Sequence, residues 1–459
     1  MVSIDRISAL PDELGIHILC FMPTKDAVAT SILSTRWKAL WTRLPCLNFY
    51  DERDFGDHNE EDVDVFDIFV SHVLHFPDSV DIEKCALVIH NDHDVLAVDD
   101  WICTLVRRKV VEFYFAFTFD LGTTFRIPQA LYMCKTLKIL TLHLYTNNFT
   151  ADDPPALGCF PNLKELHAAL FGIQLSSLVK FCSCCPGIEV LTIDGMVERG
   201  DDEVCDIQVL GRELKMLKVS FECDPHNTSI NVYINAPKLE TLYLRMDGLS
   251  NYFLMGSTRS LAYVTIAYAE LGEEKPLHFP NQPIAILGGV SNVRYLSLWT
   301  PWFKDWHLPA LGNLNQLKLV LWDCNYVESL AGFLHSAPNL EDLVLETSIK
   351  FEVEDSVVQW NPHEDVPVCL SSHLKTISIT GFRGRQDEME MAKYLLMNGP
   401  FLKKMTIYAD LSCADEDLYK EFSMFQRTND CQVELIMMQT SGRYDGRCDF
   451  RWWVDYDCN

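Results

Sequence analysis

LPDELGIHILCFMPTKDAVATSILSTRWKALW, residues 10–41, reads as three short helices in succession. Pro11 suits the first helical position, where a missing N–H costs nothing, and Asp12 and Glu13 suit the positive end of the helix dipole. Leu14, Ile18, Leu19 and Met22 then recur at helical spacing until Pro23 stops the run. Thr24 is placed to cap a second helix carrying Val28 and Ile32. Ser34 is placed to cap a third, carrying Trp37, Leu40, Trp41 and Leu44, which Pro45 ends. Such a trio, about 35 residues long, is below the roughly 40 residues at which a chain buries enough surface to fold without disulfides, metal or a partner. Its apolar face needs cover from elsewhere.

The pieces LPDEL, IL, PTKDAVATS, LS, RW and LW, in this order and spacing, resemble the plant form of the F-box. The resemblance implies that the helices dock on a Skp-type adaptor, which joins them to the cullin and RING subunits of a ubiquitin ligase. It also supplies the adaptor-contact residues: Leu10, Pro11, Leu14, Ile18, Leu19, Pro23, Val28, Leu33 and Trp37. Gly15 stands where the pattern has Leu, Cys20 where it has Ser, Met22 where it has Leu and Thr35 where it has Lys. A glycine inside a helix weakens it by about 1 kcal/mol relative to Ala, and Gly15 is expected to remove an apolar contact as well.

A hydrophobic content of 48% in 459 residues argues for a folded core, and a net charge of −27 argues against binding a phosphate backbone. No charged start leads into an apolar run, and no stretch approaches about 18 apolar residues, so neither a signal peptide nor a membrane span is expected. The chain is expected in the cytoplasm, the nucleus or both. There its 17 cysteines, an odd number, read as small buried thiols and not as a disulfide framework.

Tyr50 to Asp67, YDERDFGDHNEEDVDVFD, reads as a solvated acidic linker. Phe66, Phe69, Val70, Val73 and Leu74 mark an amphipathic helix, Val98 to Arg108 another with Trp101, Leu105 and Val106 inward, and VVEFYFAF after Lys109 a strand. From Leu137 onward the text L-x-x-L-x-L, or a close aliphatic version, recurs at Leu163, Ile188, Leu214, Leu239, Leu261, Val293, Leu314, Leu340, Leu374 and Leu402. Val110 begins an earlier copy. The starts lie 21 to 34 residues apart, mostly within the roughly 20–29 of leucine-rich repeats. Each copy supplies one short strand whose aliphatic side chains point one way, and a parallel stack of such strands buries them in one continuous core. In five copies a proline stands two residues before the first aliphatic position, namely Pro161, Pro186, Pro237, Pro338 and Pro400. Proline cannot continue a helix, so these positions predict helix-to-strand turns.

Trp360 to Asp410 resembles the FBD domain in its pieces VPVCLSSHLKTISITGFRG and KYLLMNGPFLKKMTI. F-box, repeats and FBD in this order resemble the plant F-box/FBD/LRR-repeat family. The expected fold class is α/β: an N-terminal three-helix F-box followed by an irregular leucine-rich-repeat horseshoe, a parallel β-strand solenoid, ending in an FBD segment. The expected boundaries are F-box 1–48, acidic linker and amphipathic helix 49–77, repeat array 78–350, FBD domain completing the array 351–440 and tail 441–459.

No phosphate-loop, dinucleotide, acyl-transfer or zinc-protease motif occurs, and Cys182-x-x-Cys185 lacks a second pair at zinc spacing. No catalytic residue, metal or cofactor is assigned. Residues between and just after the last two aliphatics of each repeat fall on the face opposite the core. That row holds His143, Asp194, Lys218, Tyr243, Arg245, Trp299, Glu346 and Tyr408, a composition suited to binding protein. WTPWFKDW, residues 299–306, adds Trp302 and Trp306 beside Trp299 as candidate substrate anchors. The expected function is the substrate-recognition subunit of an SCF-type ligase with an unknown protein substrate, and without nucleic acid or membrane as partner. A protein-binding module or small-molecule receptor without a part in ubiquitin transfer is the alternative.

Overall fold

The computed structural model describes residues 7, 10–51, 60–76, 80–90, 93–118, 126–149, 159–173, 185, 187–197, 204–223, 229–246, 250–256, 258–268, 289–290, 292–300, 309–321, 326–347, 365–410, 422, 425 and 430–438. They fall into two units, the first built mainly from Met1–Leu214 and the second mainly from Asn231–Phe450.

The first unit opens with helices α1 (Asp12–Leu19), α2 (Thr24–Ala29) and α3 (Thr35–Trp41), with a single 3₁₀ turn at Thr30–Ile32. Pro11 precedes α1 by one residue, and Ser34 caps α3 as expected, its hydroxyl accepting from the Trp37 N–H at 3.3 Å. Thr24 does not cap α2. It is buried, and its hydroxyl accepts the Asn48 N–H at 2.7 Å, tying α2 to the strand that follows the trio.

That strand, β1 (Cys46–Tyr50), belongs to the repeat stack. It pairs in parallel with β2 (Lys84–Ile89), and the ladder continues through β3 (Glu112–Thr118), β4 (Ile139–Phe149), β5 (Glu165–Ile173) and β6 (Val190–Val197). The stack therefore starts inside the stretch assigned to the F-box and linker, about 30 residues before the expected start at 78. Leu140, Leu142 and Leu144 of β4 show the alternation, each exposed by no more than 1% while His143 between them is half-buried. Helices α4 (Glu60–Leu74), α5 (Val95–Arg107) and α6 (Gln129–Tyr132) connect these strands, and β7 (Val204–Leu210) and β8 (Met216–Cys223) follow.

The acidic run is not a solvated linker throughout. From Glu60 it is helical, and its two ends, Asp51 and Asp67, grip His93. Residues 52–59 lie outside the described residues.

The second unit holds β9 (Ser229–Asn235), β10 (Thr241–Met246), β11 (Ser250–Leu254), β12 (Tyr263–Tyr268), β13 (Tyr295–Thr300), β14 (Gln316–Leu321), α7 (Tyr326–Ser336), β15 (Asp342–Thr347), α8 (Val368–Ser372), β16 (Thr376–Phe382), α9 (Gln386–Asn398), β17 (Lys404–Asp410) and β18 (Gln432–Met438). Strands β10, β12, β13, β14, β15, β16, β17 and β18 pair in that order, all parallel. The parallel stacking expected of a solenoid is thus present in each unit.

Pro338 and Pro400 do follow helices, α7 and α9, but Pro237 follows a strand. SINVYIN alternates buried Val232 and Ile234 with half-buried Asn231 and Tyr233, so the period is two and β9 forms, paired with β11. Pro186 lies outside the described residues. The GF-RG piece of the FBD segment turns β16 into α9. Gly381 and Gly384 take φ of 78° and 72°, and the buried Glu388 carboxylate accepts the N–H groups of Arg383 and Arg385 at 2.9 and 3.1 Å. Among the described residues no helix is long and apolar enough to cross a membrane.

Candidate protein-docking site

Two faces carry the residues singled out in the sequence. The first is on the helical trio. Asp12 holds α1 to α3 by ion pairs with Arg36 at 2.8 Å and Arg43 at 3.4 Å, and the Arg36 guanidinium also donates to the Leu10 carbonyl. Leu19, Trp37, Leu40 and Trp41 fill the interior, and Trp41 meets Phe76, just beyond α4, edge-on at 5.0 Å. Leu19 and Trp37, at 1% and 8% exposure, are interior packing here and offer little surface. Gly15 is interior too. A Cβ added there would meet Leu40 Cδ1 at 2.9 Å, so glycine permits the close approach of α1 and α3 and leaves the outer face unchanged.

The outer face is apolar. Leu14 is 49% exposed, Ile18 45% and Leu33 65%. Pro11 and Pro23 are exposed, and Leu10 and Val28 half-buried. Sequence reasoning missed Phe21, which is exposed, and put Ile32, which is 88% exposed, on the second helix with Val28; Ile32 lies beyond the end of α2. The cause is the 3₁₀ turn, which rotates Ile32 away from the line of α2.

The second face is the side of the strands opposite the core. In the second unit, register places Arg245, Trp299, Glu346 and Tyr408 in one row across β10, β13, β15 and β17, and Tyr243 in the adjacent row with Lys318. Trp299 is held in place: its indole N–H donates to Ser297 at 2.9 Å and the Lys318 ammonium lies 5.3 Å from its ring centre. Lys318 also pairs with Glu346 at 2.9 Å, with side-chain exposures of 27% and 15%. An aromatic plane backed by an ordered ion pair is a ready contact surface for a peptide side chain. Trp302 and Trp306 lie outside the described residues.

In the first unit the same face is lined by imidazoles and hydroxyls. Tyr114 meets His143 Nδ1 at 3.0 Å, and His167 Nδ1 meets the Thr192 hydroxyl at 3.1 Å. Burial, with the nearby His167, holds His143 down to about 4, and burial lowers His167 as well, against the pull of Glu165. Both rings are therefore neutral near pH 7 and can exchange hydrogen bonds without carrying charge. Asp194 shares the row of His143 through Ala169, one row over from His167 and Thr192, and Lys218 is half-buried on β8. Cys185 is buried, while Cys182 and Cys184 lie outside the described residues. Among the described residues no cluster of His, Cys, Asp or Glu could hold a metal ion.

Comparison with known proteins agrees with this layout. Residues 7–49 match the family model "F-box domain", residues 98–270 match "FBD-associated F-box protein At5g56370, LRR repeats" and residues 361–407 match "FBD". The chain is 30% identical over 457 residues to the F-box/FBD/LRR-repeat protein At5g22700 of Arabidopsis thaliana, covering 94% of this chain and 98% of the relative. It is 29% identical over 442 residues to the FBD-associated F-box protein At5g22730 of the same plant, covering 91% of each. With helical trio, parallel-strand repeats and FBD segment in the same order over nearly the whole length, the chain belongs to the F-box/FBD/LRR-repeat protein family.

Proposed function

We propose that the chain is the substrate-recognition subunit of an SCF-type ubiquitin ligase. Its helical trio docks on a Skp-type adaptor and its strand faces hold a protein substrate. The observation that carries this reading is the exposure of Leu14, Ile18, Phe21, Ile32 and Leu33 on a helical unit that already has a filled interior. An apolar surface of this kind on an otherwise satisfied unit is the mark of a docking site. Adaptor contacts are carried by the exposed members Pro11, Leu14, Ile18, Pro23 and Leu33 with Leu10 and Val28 at the edge, while Leu19 and Trp37 support them from within. Tyr243, Arg245, Trp299 and Tyr408 contact substrate, with Trp302 and Trp306 beside them in sequence.

The chain contributes no catalytic group. Ubiquitin transfer belongs to the cullin–RING side, and tethering both ends turns an encounter into a nearly intramolecular step. The site of action is the cytoplasm, the nucleus or both, which fractionation of the tagged protein checks.

The test is adaptor binding by the full chain carrying Ile32→Ala and Leu33→Ala. Full burial of such side chains is worth about 1.5–3 kcal/mol each. At 88% and 65% exposure, the pair supplies about 2–4 kcal/mol, a loss of roughly 30- to 1,000-fold in Kd. Undiminished adaptor binding by the double variant would remove the docking assignment.

A further inference from the structure

On the second unit's strand face, Arg245, Trp299, Glu346 and Tyr408 stand on every second strand of one line, on β10, β13, β15 and β17. The strands between them, β12, β14 and β16, put the shorter Ala267, Val320 and Thr380 in the same line. Ala267 and Val320 are 1% and 4% exposed, while the four long side chains are half-buried. Neighbouring strands lie about 4.8 Å apart, so the long side chains repeat at about 9.6 Å.

That interval selects the backbone that fits across them. A polyproline II helix has three residues per turn and rises about 3.1 Å per residue, so every third side chain returns to one face after about 9.3 Å. Over all three intervals it falls out of step by about 1 Å. An extended strand returns to one face after about 6.6 or 13 Å and misses by about 3 Å at the first interval. An α-helix comes nearest at seven residues, about 10.5 Å, is out by about 3 Å over the three intervals and needs a trough about 10 Å wide.

The chemistry of the line suits the same guest. Trp299 is fixed by its N–H bond to Ser297 and by Lys318 beside its ring, and a rigid aromatic surface is what proline rings pack against. Tyr408 supplies a second aromatic, with Ile436, 39% exposed, next to it on β18. Arg245 and Glu346 stand two strands to either side of Trp299 with opposite charge. Lys318 holds the Glu346 carboxylate in position at 2.9 Å, and a carboxylate accepts more than one donor.

We propose that this line binds a proline-rich segment of the substrate in the polyproline II conformation. The segment crosses the strands with an acidic residue at Arg245, proline at Trp299, a basic residue at Glu346 and an apolar residue at Tyr408, each three residues from the next. This rests on the reading of the face as the substrate side and narrows it to one class of segment. Because polyproline II forms before binding, little ordering entropy is lost on docking.

The experiment measures, by fluorescence anisotropy, binding of labelled proline-rich peptides to the purified full chain. One pair carries Asp, Pro, Arg and Leu three residues apart, in the two chain directions; a control pair has the same composition with these four spaced two residues apart. One peptide of the first pair should bind at least about tenfold more tightly than either control. Trp299→Ala should weaken it by about tenfold or more. Tyr263→Ala, on the same face in another line, should leave it unchanged, and Arg245→Glu should make Lys preferred over Asp at the acidic position. Adaptor binding should be the same for all three variants, which separates loss of peptide from loss of docking. Equal or tighter binding of the controls, no binding by either pair, or an affinity indifferent to Trp299→Ala overturns the proposal. Substrate still held through Trp299 despite such a result would keep the face as the substrate side and remove the polyproline II class alone.

Discussion

Replacing His93 by alanine should loosen the junction between the helical trio and the repeats. The ring is wholly buried, with Nδ1 2.6 Å from Asp67 and Nε2 3.0 Å from Asp51. A neutral imidazole has one N–H to give, so two carboxylate partners call for the doubly protonated ring. Burial opposes that charge, but the hydrogen bonds to Asp51 and Asp67 outweigh it and raise His93 above its ordinary value. Removing one partner of a buried ion pair costs about 3–5 kcal/mol, because the charge left behind is uncompensated. Asp51 is 3% exposed and Asp67 21%; water reaches the second, which favours the lower part of that range, about 3–4 kcal/mol. Hydrogen-exchange protection of β1 and α4 should then fall by roughly 150- to 900-fold. The pH dependence carries a definite sign. A group whose folded value is raised contributes in full below its unfolded value, about 6.5, and loses the contribution as pH rises through the folded value. The gap between wild type and His93→Ala should therefore narrow from pH 6 towards pH 9. A fall in protection under tenfold, or a gap that stays constant across that range, would refute the buried imidazolium.

Two further outcomes test the packing. At Gly195 on β6 a methyl group would run into the Leu170 carbonyl oxygen of β5, and laddered backbones yield little, so Gly195→Ala should destabilise by about 3 kcal/mol, read as lost exchange protection in β5 and β6. Gly15→Ala gains about 1 kcal/mol of helix propensity against a contact with the flexible end of Leu40. It should leave the thermal midpoint equal or higher, whereas Gly15→Leu should lower it.

The repeats were legible wherever a copy used aliphatic residues throughout. Leu44-Pro-Cys-Leu47-Asn-Phe49 and Ile82-Glu-Lys-Cys85-Ala-Leu87 carry the same spacing, yet Phe49 and Cys85 hide it, and the first copy overlaps the end of the helical text. Both of those side chains are buried, at 2% and 3% exposure. Proline marked the turn into each strand but could not say what preceded it, because it ends a strand as readily as a helix; β9 before Pro237 is the case in point. The Asp51–His93–Asp67 grip was out of reach. Its members are spread along 43 residues, the two carboxylates belong to a run that looks solvated, and nothing in local periodicity reports which of many acids turns inward. On the trio, the family resemblance named one set of residues, and only geometry separated Leu19 and Trp37, which pack inside, from Leu14, Ile18 and Leu33, which look outward.

The absence of slack between α3 and β1 has a mechanical consequence. Trp41 and Leu44 are interior on either side of the turn, Thr24 grips Asn48, and Phe69 of α4 sits 6.1 Å from Phe49. The trio cannot swivel on the first strand without opening that joint. On the proposed reading, an adaptor docked on the trio would be held at a fixed angle to β1.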